Sequence, residues 1–266
     1  MVKIFCVNTQ SSKTFPEGTT LMDMLPSFDF ERPYPILCAK VNNVSQGLKY
    51  RAFNSRKVEF HDYTSYLGRS VYCNSLCFLL CKAAKDVFPD CRVILRRPIS
   101  KGYFCSIDKG DGAELSISDL DMIKRRMLEL VEADIPFRRH EVLLDEAIEL
   151  FRSLGYEDKV KLLETSGDVY VNYYTLEDTP DYYYDALLSS TGNLKVWSLE
   201  MYRDGLLLRV PNRHKPEELA EFVEQPKTFD VFAENLKWNR IMGLENVGDV
   251  NLACQRGEAS DLIKIA

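Results

Sequence analysis

The stretch YCNSLCFLLCKAAKDVFPD, residues 72–90, decides how the middle of the chain is read. Cys73, Cys77 and Cys81 recur every four residues, with Asn74 and Phe78 one residue further on, so both sets run along one side of a helix. The spacing predicts a helix over 72–87 that stops ahead of Pro89. Three thiols on one face could begin a metal or nucleophilic site. They could equally be core, because a buried free cysteine behaves as a small hydrophobe. One helix face cannot surround a metal, zinc needs three or four converging ligands, and no fourth partner is evident in the sequence. Packing is the stronger reading.

Working outward, residues 1–10 alternate as a strand and SSKTF (11–15) reads as a second. FPEGTT (15–20) is a Pro/Gly turn whose Thr caps a short helix over 21–25. PILCAKVN (35–42) and RKVEFHD (56–62) are further strands, and this order is that of a small β-grasp domain. Beyond the central helix, 93–108 reads as two short strands around a turn. A helix over 118–134 is expected, capped by Ser118 with Asp121, with Leu120, Ile123, Met127 and Leu130 as its apolar stripe. Residues 141–154 read as an amphipathic helix ended by Gly155. Segments 168–176 and 194–211 are strand-rich, with Thr191, Gly192 and Asn193 forming a turn. After Pro226, two short helices (228–243 and 248–262) read as a connector. Ser260–Ala266 starts a helix with neither a glycine stop nor a basic last turn, which leads to the expectation of a longer parent protein.

The chain has 266 residues and a net charge of −6, which argues mildly against a dedicated nucleic-acid binder. The charge is uneven. Residues 1–62 hold eight Lys/Arg against six Asp/Glu, so this head carries +2 and the remainder −8. No apolar run has the length of a membrane span, and MVKIFCVNTQ is not a signal peptide. The eight cysteines show no CxxC pair and read as reduced, cytoplasmic thiols. Neither a G-x-x-x-x-G-K-[ST] nor a G-x-G-x-x-G phosphate loop is present. His61, His140 and His214 are isolated, and Ser189 and Ser190 lie in a turn rather than at a nucleophile elbow.

Two features keep two readings each. The run Asp181-Tyr182-Tyr183-Tyr184-Asp185 is sheet packing or a base-stacking surface. The clusters Arg96-Arg97, Arg125-Arg126 (with Lys124) and Arg138-Arg139 are a solvated face or phosphate contacts whose binding would fall with salt.

The order of segments is familiar. FPEGTTLMDML followed by VNN resembles a TGS domain, the β-grasp module at the front of threonyl-tRNA synthetases. NSLCFLLCKAAKDVFPD, EADIPFRRHEVLLDEAIELFRSLGYEDKVKLLE and DALLSSTGNLKVWSL resemble, in order, the editing-type second domain of the same enzymes. The match runs over roughly residues 1–210. The resemblance implies a metal-site histidine pair in the first motif and a Cys and a His ahead of Ser-Thr-Gly in the last. This chain has Asn74, Phe78, Tyr183 and Leu187 there. It therefore implies a degenerate pocket lined by these four residues, with no catalytic residue and no metal. A TGS head, such a body and a helical linker together resemble the front of bacterial uridine-kinase-like nucleoside kinases.

The expectation is thus an α+β protein. A TGS-like β-grasp (ubiquitin-like) domain over 1–62 precedes a synthetase-editing-like α+β sandwich over 63–225 and a helical linker over 226–266. By itself the chain is expected to be a non-catalytic regulatory or ligand-binding region needing no cofactor. Its expected partners are its own C-terminal kinase domain, which would use ATP and Mg to phosphorylate uridine or cytidine, and RNA or a small nucleoside or amino-acid ligand, but no membrane. The alternatives are a tRNA-binding module, with Arg96, Arg97, Arg125 and Arg126 as contacts, and an aminoacyl-tRNA deacylase.

Overall fold

The computed structural model describes residues 1–258, apart from the side chains of Arg96 and Arg97; the segment expected to start a last helix at Ser260 lies outside the described residues. The chain is α+β. It divides into two units, residues 1–138 with 175–223, and 139–174 with the residues from 224 onward.

The first unit opens with β1 (Val2–Cys6), β2 (Ser11–Phe15), β3 (Thr19–Thr20), α1 (Leu21–Met24), β4 (Ile36–Val41), β5 (Val44–Gly47), β6 (Arg51–Ala52) and β7 (Arg56–Asp62). Five strands form one sheet in the order β2-β1-β7-β4-β5, with β1 and β7 parallel at its centre. Strand alternation sends Val2, Ile4, Cys6, Val58 and Phe60 to one face, where Leu21, Met24 and Phe28 close a core. Thr20 caps α1, its hydroxyl accepting from the Asp23 N–H at 3.1 Å. β5 is not anticipated by the sequence reading. Asn42 and Asn43, at φ 48° and 69°, make the tight turn that returns β4 into β5.

α2 (Tyr66–Val87) follows and starts six residues earlier than the cysteine spacing suggests. Ser65 caps it, and Gly68 hides the first turn from periodicity, because the helix passes the Asp62 carbonyl too closely for any side chain there. Next come β8 (Arg92–Ile99), β9 (Gly102–Asp108) and α3 (Ile117–Glu132). The cap of α3 is Ser116, not Ser118. Both serines precede an Asp by three residues, but among the described residues only Asp119 also meets a cation, Lys109 Nζ at 3.1 Å, and its box with Ser116 is complete in both directions.

The boundaries between units fall within β10 (Phe137–Leu143) and β11 (Tyr170–Leu176). Between these strands lie α4 (Leu144–Ser153) and α5 (Glu157–Glu164). The helix expected over 141–154 is thus strand up to Leu143, and α5 is an added helix. It begins after Gly155, whose φ of 72° ends α4 as expected. β12 (Thr179–Asp181), β13 (Ser198–Tyr202) and β14 (Gly205–Arg209) return to the first unit, where a second sheet runs β13-β14-β9-β8. α2 and α3 pack on each other; α2 also meets β8 and the β4–β7 part of the first sheet.

α6 (Pro226–Ile241) and α7 (Val247–Gln255) belong to the second unit. α7 is capped by Asn246 and tied to α5 by Lys161–Asp249 at 2.8 Å and by Asn251 donating to Thr165 at 3.0 Å. Among the described residues no helix is long and apolar enough to cross a membrane.

Candidate functional site

The four residues expected to line a pocket sit on α2 and on the segment after β12. Polar groups of α2 and β5 fix that segment. Ser70 donates to Asp185 at 3.1 Å, the Ala186 N–H donates to the Ser45 hydroxyl at 3.3 Å, and the Leu188 N–H donates to the Ser75 hydroxyl at 2.9 Å. Ser75 gives its own proton to the Val71 carbonyl one turn back, leaving its lone pairs for Leu188. Tyr183 is thereby brought onto Phe78, with ring centroids 5.6 Å apart, and Leu187 is buried beside the Asn74–Ser75 turn.

Phe78 has no exposed surface and touches a second ring, Phe137, at 5.8 Å. The sequence reading did not anticipate Phe137, because it leaves residues 135–140, where β10 begins, without an assigned element. Tyr183 is hydrogen-bonded to the Asp181 carboxylate, and burial pushes its phenol well above the ordinary tyrosine range. Asn74 is half-buried. Three of the four positions thus carry packed side chains, and the neutral phenol is committed to a neighbour.

Cys73 and Cys77 do not form a nucleophilic centre. Burial raises Cys73 and raises Cys77 further, and across from them it pushes Cys105 to about 12. A thiol needs a lowered pKa to attack or to ligate at neutral pH. Cys73 is hydrogen-bonded to Tyr63, Tyr103 and Arg69. Among the described residues no group of three or more His, Cys, Asp or Glu side chains could hold a metal.

The Ser-Thr-Gly stretch is a clamp on the end of α3. The Thr191 hydroxyl donates to the Leu130 carbonyl at 2.5 Å and accepts from the Ile135 N–H at 2.8 Å. The Gly192 N–H donates to Asp134 Oδ1 at 2.9 Å, so close that a side chain at 192 would collide with that carboxylate. The tyrosine run splits: Tyr183 points in, while Tyr182 and Tyr184 meet edge-on at 5.1 Å and Tyr184 is 78% exposed.

The basic candidates separate. Arg126 is bound to three carboxylates, Asp86 at 2.8 Å, Glu129 at 3.2 Å and Glu177 at 3.4 Å. It completes a network around Lys82, whose buried ammonium meets Asp178 at 2.5 Å, Asp86 at 2.8 Å and Glu177 at 3.3 Å. A phosphate would have to displace these partners. Arg125 is exposed one position away. Arg96 and Arg97 lie on β8, and their side chains fall outside the described residues.

No family profile matches the chain. Among curated proteins it is similar to threonine–tRNA ligases. That of Syntrophotalea carbinolica is 32% identical over 190 residues, 71% of this chain and 30% of the ligase. Those of Azobacteroides pseudotrichonymphae and Desulforamulus reducens are 26% and 27% identical over 75% and 73% of this chain. The chain spans about 30% of the length of these relatives.

Proposed function

We propose that this chain is a synthetase-derived RNA-binding region that has kept a scaffold of the threonine–tRNA ligase type without hydrolytic chemistry at its pocket. The observation supporting this reading is the packing of Phe78 against Phe137 and Tyr183, with Leu187 also buried, within a chain similar to tRNA ligases over about 71% of its length. Phe and Leu neither ligate a metal nor move a proton, and they exclude water. The exposed Arg125 and the exposed ring of Tyr184 offer a surface to an RNA partner. The test pairs two assays. Binding of a tRNA acceptor-stem minihelix should weaken steeply between 50 and 200 mM salt. Deacylation of mischarged tRNA should stay at the uncatalysed rate. Lack of RNA retention even at the lower salt would refute the proposal, as would hydrolysis above background.

A second reading makes the chain the front of a uridine-kinase-like protein whose ATP- and Mg-dependent domain lies elsewhere in the same polypeptide. It is favoured by α6, which buries none of its side chains and leaves Val231, Trp238 and Ile241 more than half exposed, as a connector to a further domain would. Phosphorylation of uridine or cytidine by the full-length gene product is the corresponding test.

A further inference from the structure

The outer face of the first sheet carries a groove that the inherited pocket does not explain. α2 covers the part of this face near β4 and the end of β7. The uncovered part is lined by Lys3, Phe5, Ser12, Asn42, Arg56 and Lys57 around an open volume of about 370 Å³. Register sets the arrangement. Val2, Ile4 and Cys6 turn into the core, so Lys3 and Phe5 face outward, and Phe5 stands opposite Ser12 on β2 and Lys57 on β7. The small Ser12 leaves one flank of the Phe5 ring open.

The backbone under the cations is pinned. The Lys57 N–H donates to Asn42 Oδ1 at 2.9 Å, the Asn42 N–H donates to the Lys57 carbonyl at 2.9 Å, and the Lys3 N–H donates to the Ser55 hydroxyl at 3.1 Å. Lys3, Arg56 and Lys57 meet no carboxylate among the described residues. Lys82, Lys109 and Arg126, by contrast, all sit on acids. The acid nearest along β7, Glu59, lies toward His61 at 3.8 Å. Three like charges lining one groove repel one another, and an anion seated among them relieves that repulsion.

We propose that this groove binds a nucleoside polyphosphate, with the phosphates on Lys3, Arg56 and Lys57 and the base against Phe5. The size suits one small ligand. Lys3 and Lys57 stand on the same face as Phe5, with Arg56 at the rim of the same small concavity, which favours a compact polyanion over a polymer. This inference is independent of the RNA reading, which rests on other residues.

The test is titration calorimetry on the full chain with UTP, CTP, ATP, GTP, inorganic tripolyphosphate and uridine. A triphosphate should bind one per chain, tripolyphosphate more weakly, and uridine not at all at the same concentration. The double variant Lys3→Ala/Lys57→Ala should weaken triphosphate binding at least tenfold. Phe5→Leu should weaken the nucleotide but leave tripolyphosphate unchanged. Lys227→Ala/Lys237→Ala, an equal loss of charge at exposed sites on α6, should change nothing. No heat with any triphosphate would overturn the proposal. So would unchanged affinity in the double variant, or a single-stranded oligoribonucleotide that binds this groove and excludes the nucleotides.

Discussion

Truncating Phe78 to alanine tests the filled pocket directly. The ring has no exposed surface and lies 5.8 Å from Phe137 and 5.6 Å from Tyr183, so its removal loses both ring contacts and leaves a cavity. Replacing a buried Phe with Ala costs about 3–5 kcal/mol. The two aromatic pairs, each contributing about 0.5–1.5 kcal/mol beyond buried area, push the expected value to the upper half of that range. The measurement must see the right part of the chain, because the chain divides into two units. Its two tryptophans help: Trp197 lies in the first unit with Phe78, and Trp238 in the second. In a Trp238→Phe background, fluorescence during urea unfolding reports on the unit that contains the pocket. With a urea slope near the top of the usual range of about 1–3 kcal/mol per molar, the midpoint should fall by about 1.3–1.7 M. Asn74→Ala, at a half-buried neighbour, should move stability by no more than about 0.5 kcal/mol. A loss below about 1 kcal/mol for Phe78→Ala would mean that the rings do not fill the site, and the case against inherited chemistry would fail with it.

Further outcomes follow from the supporting structure. Lys82→Met should cost about 1–3 kcal/mol, the range for hydrogen bonds to charged groups; the buried ammonium sets this scale, and the exposure of Asp178 keeps the value from rising higher. Urea titration of the same reporter protein measures it. Gly68→Ala should destabilise, although Gly→Ala within a helix usually gains about 1 kcal/mol. The new methyl would collide with the Asp62 carbonyl, so a raised thermal midpoint would show that the approach of α2 to β7 is wrongly described. The Ser116 N–H and Lys109 hold the Asp119 carboxyl below the usual carboxylate range, so its contribution is full above about pH 4 and is lost as pH falls through the lowered value. Melting curves at pH 7 and pH 3 should therefore differ less for Asp119→Asn than for the parent chain. Burial alone would raise Asp249, but Lys161 and the Asn246 N–H outweigh it and lower the group, so α7 should detach from α5 over the same acidic window. Hydrogen exchange in residues 247–255 reads this out.

The fold class was legible because short-range patterns agree with long-range packing. Alternation in VKIFC placed the core face of β1, and the cysteine period placed α2. What escaped was decided at a distance. The cap of α3 went to Ser116 because Lys109, on the loop before the helix, selects Asp119 over Asp121. β5 depended on two asparagines in left-handed conformation, and α5 on a polar segment whose buried side, Val160 and Leu163, is too sparse to set a period. For the candidate site, the sequence reading names Asn74, Phe78, Tyr183 and Leu187, and only the structure shows that Phe78 and Tyr183 pack ring on ring. That Phe78 meets Phe137 follows from the placement of β10, and the groove around Phe5 requires knowing that β1 lies between β2 and β7.

On the proposed reading of a site that lacks its metal ligands, the packing explains why those ligands would be hard to install one residue at a time. Phe78→His would place a polar ring where every neighbour shown is a ring or an aliphatic core residue, and an unsatisfied buried nitrogen costs about 1–3 kcal/mol. A metal could offset that cost only once three or four ligands converge. Tyr183 would have to give up its bond to Asp181, and Leu187 its buried place beside Ser75, before any ligand gained a partner. Each single step is therefore uphill. By contrast, the clamp at Thr191–Gly192 and the hydroxyl of Ser75 act on backbone groups and need no metal. The frame around positions 74, 78, 183 and 187 is therefore held without any metal ligand, by hydroxyl and carboxylate groups that bind backbone N–H groups.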